Sequence, residues 1–155
     1  APYLTLLGDA FDKKAWHGPN LRGSLRGMTA EAAAWRPAPG RHNIWELAVH
    51  AAYWKYAVRR LLTGASRGSF PYAGSNWFER PAAEVSERAL KADLAVLVRE
   101  HRLLVAAVSK VPRRELGKKP RGSKYTRSRL IQGAAAHDLY HAGQIQILKR
   151  LRPTR

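Results

Sequence analysis

Apolar residues recur at spacings of three and four along most of this chain, and that period belongs to amphipathic α-helices packed on one face. Leu4, Leu7 and Phe11 begin the first stripe. Gly18-Pro19 should kink or interrupt this helix, since proline lacks an N–H and crowds the preceding turn. Leu21, Leu25 and Met28 resume it, and Thr29-Ala-Glu-Ala has the pattern of a short capped turn ahead of a loop over 37–42. Asn43, with Glu46 three residues on, approximates a capping box and starts a second helix that should run to about Thr63, with Gly64 as its stop. Its inner face reads Ile44, Leu47, Ala51, Trp54, Val58 and Leu61. A third helix should begin near Glu84, with Leu90, Leu94, Leu97, His101, Leu104 and Val108 as its stripe and Pro112 just beyond its end. Thr126 or Ser128 can cap the last helix, whose stripe is Leu130, Ala134, His137, His141, Ile145 and Leu148. No strand alternation or internal repeat competes. The expectation is an all-α four-helix bundle, one domain over 1–155, with short extra helical turns. The long 64–83 connection mixes glycine and proline with Phe70, Tyr72, Trp77 and Phe78, which argues for packing onto the body.

Composition narrows the chemistry. Cysteine is absent, which excludes disulfides, thiolate ligands and a cysteine nucleophile. No apolar run reaches membrane-spanning length. No cleavable signal pattern is legible, so cytoplasmic residence is the expectation. The net charge is +17, and from Arg102 onward fourteen Lys/Arg face only Glu115 and Asp138. Such a balance favours anionic partners, although a basic surface without a partner reads the same way.

His137 and His141 stand one helical turn apart, so their imidazoles point the same way. His50 lies on the inner face of a different helix. A single histidine on an apolar stripe is ordinarily a hydrogen-bonded core residue; two at this spacing, with a third across the bundle, favour a shared metal ion with open coordination positions. Three imidazoles suit zinc, nickel, copper or iron. His101 also falls on an inner stripe, as a fourth ligand, a partner behind the ligands, or plain core. HDLYH invites comparison with the H-E-x-x-H helix of zinc proteases, but Asp138 is one methylene short and no further ligand follows. A salt bridge from Asp138 to an arginine is the plainer expectation.

WHGPNL at 16–21, GRHNIWELAVHAAYW at 40–54 and AAAHDLYHAGQIQILKR at 134–150, in that order, resemble the DinB-like family of metal-binding four-helix bundles, also called the DinB/YfiT superfamily. The resemblance implies a homodimeric bundle holding a divalent metal, often nickel or zinc, on three histidines that correspond to His50, His137 and His141. It also implies thiol-dependent transferases and isomerases using low-molecular-weight thiols such as mycothiol or bacillithiol, with hydrolases as other members.

Around those ligands, Gln144 lies one turn after His141 and either orients a ligand or serves helix packing. Glu46 either accepts a proton from a ligand imidazole or caps and pairs. His17 at the Gly18-Pro19 break either reaches the bundle mouth or stays exposed. Trp16, Trp54 and Trp77 either wall a pocket or belong to the core.

The leading functional expectation is a metal-dependent thiol S-transferase acting on a small molecule, with Arg113, Arg114, Lys118, Lys119, Arg121 and Lys124 attracting acidic thiols or substrates. The 64–83 segment would form a wall or lid. A hydrolase using water at the same site is the close variant. A nucleic-acid-binding protein with a structural metal is the alternative from the charge, although no helix-turn-helix, finger or RNA-binding signature supports it.

Overall fold

A computed structural model describes residues 2–154. Six α-helices and no strand occur among the described residues: α1 (Pro2–Phe11), α2 (Leu21–Ser24), α3 (Ala30–Ala34), α4 (Ile44–Thr63), α5 (Glu87–Ser109) and α6 (Arg127–Leu151). α4 packs on both α5 and α6, and α1 closes the other side against α6 and α5. These four form the bundle, and α2 and α3 are the short extra turns.

Local chemistry sets the boundaries. The Asn43 side chain accepts from the Glu46 N–H while Glu46 reaches back to the Asn43 N–H, so the capping box at the start of α4 is complete. Gly64 ends α4 at φ +74°, a conformation that favours glycine. Thr126, rather than Ser128, caps α6 through the Arg129 N–H. Two expected boundaries move. α1 ends at Phe11 and does not resume: residues 12–20 leave the helix, Gly18 takes φ +94°, and Asn20 caps the separate α2. α5 begins at Glu87 because Ser86 caps it, whereas Ala82–Glu84 form a 3-10 turn.

Besides Trp45, Val49 and Leu90 packed with Ala30 and Ala33 of α3, two apolar blocks fill the bundle. One gathers Phe11, Leu21, Ile44, Leu47, Leu97, Ile145 and Leu148. The other gathers Leu7, Val58, Leu104, Val108, Ile131 and Ala135. Between them each long inner helix turns polar at the same height: Lys55 on α4, Glu100 and His101 on α5, and His137, Asp138 and His141 on α6. A polar layer therefore crosses the bundle at mid-length, and everything in it needs a partner. Trp54 and Leu61, expected on the inner face of α4, are instead exposed and half-buried. The missing inner positions are taken by Lys55 and Tyr56.

Candidate metal centre

His50 on α4 and His137 and His141 on α6 meet at one edge of this polar layer. A ligand-capable nitrogen from each lies within 4.8 Å of the others, so the group can hold a metal ion. His137 Nε2 sits 3.1 Å from His50 Nε2 and 2.9 Å from His141 Nε2. A neutral imidazole carries one N–H, and what each Nδ1 touches decides where it sits. His50 Nδ1 is 2.7 Å from the backbone carbonyl of Asn76, an acceptor only, so that nitrogen carries the proton. His141 Nδ1 is 2.6 Å from Gln144 Oε1 and likewise donates. Both Nε2 atoms are then lone pairs aimed at His137, whose single N–H can answer at most one. A cation at the convergence answers all three. Ligand nitrogens on a tetrahedral zinc at about 2.0–2.1 Å would stand about 3.3 Å apart, a small outward step from the spacing seen. The donor set fits a divalent metal.

Electrostatics keep these nitrogens free of extra protons. Burial pushes His50 down to about 4, against a smaller upward pull from the Asn76 carbonyl. Burial, with His141, His50 and Lys55 nearby, pushes His137 down to about 3. Burial also lowers His141, opposed by its bond to Gln144.

The other expected site residues divide. Gln144 is in place behind His141. Glu46 does not reach His50: it binds Arg36, His42 and the Asn43 N–H. Burial raises its carboxyl, but the bonds from Arg36, His42 and Asn43 outweigh this and hold it below the ordinary range. His17 stays exposed, with Nε2 3.1 Å from the Asp9 carbonyl. His101 stands apart from the triad, stacked on Phe11 and 3.3 Å from Lys55 Nζ. Trp16 is fully exposed and walls nothing. Arg113, Arg114, Lys118, Lys119, Arg121 and Lys124 lie in the α5–α6 connection ahead of α6, whereas His137 and His141 stand near the middle of that helix. Ten residues of helix, about 15 Å, separate Arg127 from His137. Asp138 pairs with no arginine. Its partner is Lys55, at 2.5 Å inside the core, because the side chain faces the polar layer.

Several contacts of the triad carried no sequence signal. The Trp77 indole is sandwiched between His42 and His50, with centroids 3.5 and 3.8 Å apart and planes within 5° and 9° of parallel. Trp77 was a candidate for a pocket wall, but His42 and Asn76 were invisible, since nothing local marks a loop residue that docks across a bundle. Beside His141 opens a cavity of about 520 Å³, lined by Arg41, Leu47, Trp77, Tyr140, Gln144, Ile147 and Leu148 among others. Its walls are largely apolar with a few polar groups, the usual character of a small-molecule pocket. None of the six basic residues above lines it.

The buried imidazoles also set a pH dependence. Burial and the nearby Lys55 charge bring His101 to about 3, so with His50 and His137 three groups bind a proton in the unfolded chain well before the folded one. Stability of the metal-free protein is full above pH 6.5 and falls as pH drops through the window toward 4. The slope is up to about 1.4 kcal/mol per pH unit for each histidine. Asp138 works in the opposite direction: burial raises it to about 6 despite Lys55, so between about 6 and 3.8 the folded state takes its proton first. Three histidines outweigh one carboxyl, so urea midpoints should fall steadily from pH 7 to 5. A midpoint constant over that range would contradict the buried-neutral assignment.

No helix of the described residues is long and apolar enough to cross a membrane. No curated protein and no solved structure matches the chain. The family model of the DinB superfamily matches residues 15–145, a span that contains all three histidines, the whole of α4 and most of α6. This chain therefore belongs to the DinB superfamily.

Proposed function

We propose that His50, His137 and His141 hold one divalent metal ion through their Nε2 atoms and that the site performs thiol-dependent S-transfer on a small molecule. One observation carries the reading: three Nε2 atoms converge while two of the rings have their Nδ1–H groups directed to outside acceptors. When bound, zinc or nickel supplies Lewis acidity that lowers the pKa of a thiol or water. The chain's own residues do the rest. Gln144 and the Asn76 carbonyl orient the ligand rings. Leu47, Trp77, Tyr140, Ile147 and Leu148 exclude water from the apolar part of a substrate, and Arg41 at the cavity edge offers a cation to a carboxylate. The protein has no cysteine, so the thiol arrives as a cosubstrate such as bacillithiol or mycothiol.

A hydrolase employing water at the same residues is the second reading, since a metal on these three histidines would equally lower the pKa of a bound water. Dimerisation is carried by the family resemblance, and sedimentation at micromolar concentration checks it. The net charge of +17 keeps nucleic acid as a partner to test. Salt-steep duplex binding that survives alanine at all three histidines would move the function away from the metal.

Elemental analysis of purified protein should show about one zinc or nickel per chain. Turnover of a generic electrophile should then require bacillithiol, mycothiol or glutathione and be abolished by a chelator. Chelator-sensitive ester cleavage without any thiol would select the hydrolase, and absence of metal at every condition would remove both.

A further inference from the structure

The segment 64–80 is irregular, yet at one point it is held closely against the candidate centre. Asn76 is the one non-glycine residue at positive φ among the described residues, at +69°. The Trp77 N–H donates to the Ser75 carbonyl at 2.9 Å, an i to i+2 bond that makes Ser75–Trp77 a γ-turn of the rare hand. Such a conformation is costly for a residue with a Cβ and persists only where the surroundings impose it. Three contacts impose it here. The turn aims the Asn76 carbonyl outward at His50 Nδ1, 2.7 Å away. The Asn76 side-chain oxygen accepts from Trp54 Nε1 at 2.9 Å, tying the turn to α4 one helical turn beyond His50. The next residue, Trp77, covers the His50 ring face to face.

We propose that Asn76 is a positioning residue: its strained turn fixes His50 in the Nδ1–H tautomer and sets the ring's direction, so that the loop, and not α4 alone, makes His50 competent as a ligand. The proposal rests on the metal assignment for its consequence, but the tautomer is set in the metal-free protein. An imidazole free on α4 would sample both tautomers and swing about its side-chain torsions. Held at Nδ1 and stacked on one face, it presents Nε2 in one direction only. Because linkage is reciprocal, a metal on Nε2 in turn strengthens the hold of the loop.

Proline at position 76 forces φ near −65° and swings the carbonyl away, while no hydrogen bond from the Asn76 N–H is lost. Glycine keeps positive φ without strain and retains the carbonyl. Two measurements read the consequence. Imidazole nitrogen chemical shifts of metal-free protein report the His50 tautomer, and competition with a chromophoric chelator reports zinc and nickel affinity. Asn76→Gly should retain the Nδ1–H tautomer and bind metal within a few-fold of the parent. Asn76→Pro should lose that tautomer and weaken metal binding about 10–100-fold. A general folding defect is separated by the melting temperature of the metal-free variants, and Asn76→Gly serves as the rescue. If Asn76→Pro keeps both the tautomer and the affinity, the proposal is overturned. If the parent shows the tautomer, Asn76→Pro loses it and neither binds metal, the positioning stands and the metal reading of the triad fails instead.

Discussion

Lys55→Met is expected to destabilise the protein by about 3–5 kcal/mol, among the largest effects of any single substitution outside the apolar core. Lys55 is 1% exposed, and its ammonium sits 2.5 Å from Asp138 Oδ2 and 4.8 Å from the Phe11 ring centroid. Methionine fills similar space, so the loss is electrostatic. Asp138, fully buried with Oδ1 already lacking a partner, would be left as an uncompensated carboxylate. Two further results identify this cause. Lowering the pH should shrink the deficit, because the folded variant holds its Asp138 proton more tightly than the unfolded chain does. Adding Asp138→Val should restore most of the stability, since a buried pair replaced on both sides by apolar groups is often near neutral. Urea denaturation of the two singles and the double measures the coupling. A double variant as unstable as the sum of the singles would show that Lys55 acts through packing and not through the pair.

His137→Ala is expected to remove metal binding, lowering affinity by more than about 100-fold, beyond the usual effect of disturbing a group behind a ligand. His137 is the one histidine whose Nε2 approaches both of the others, so its loss leaves two nitrogens that no longer share a centre. The same substitution should also cancel thermal stabilisation by zinc or nickel, which for the parent at a hundred times the dissociation constant is about 2.7 kcal/mol. Without metal, the variant should be little weaker than the parent, because removing the ring also removes a contact between facing lone pairs. Differential scanning calorimetry with and without the ion separates the two states. Equal metal-induced shifts in parent and variant would mean that the ion sits elsewhere.

The helices and their ends were largely legible from residue order, because their causes are local. Asn43 with Glu46, Thr126 and Gly64 act within a turn of themselves. So does the pairing of His137 with His141, a matter of helical pitch. The errors are instructive for the same reason. The Gly18-Pro19 pair read as a kink or an interruption, and it is an interruption, but one that begins earlier, at Asp12, and ends at the Asn20 cap. Trp54 read as inner and Lys55 was not among the expected inner residues, since hydropathy places residues by type. A lysine turns inward only when a carboxylate from another helix waits there, and periodicity contains no such information. The six basic residues of 113–124 read as a lure for the site, but they precede α6, and His137 and His141 stand near its middle.

Residue order alone determined that this chain is helical, that it carries two histidines on one helical face, and that it lacks a thiol of its own. Tertiary structure decided that His50 completes the group, that Lys55 and Asp138 find each other through the core, and that Asn76 and Trp77 come from a loop to hold a ring in place. The division follows the range of the forces. Pitch, caps and propensity act over a few residues, whereas matching a buried polar group requires partners far apart in the chain, and those exist only once the helices have packed.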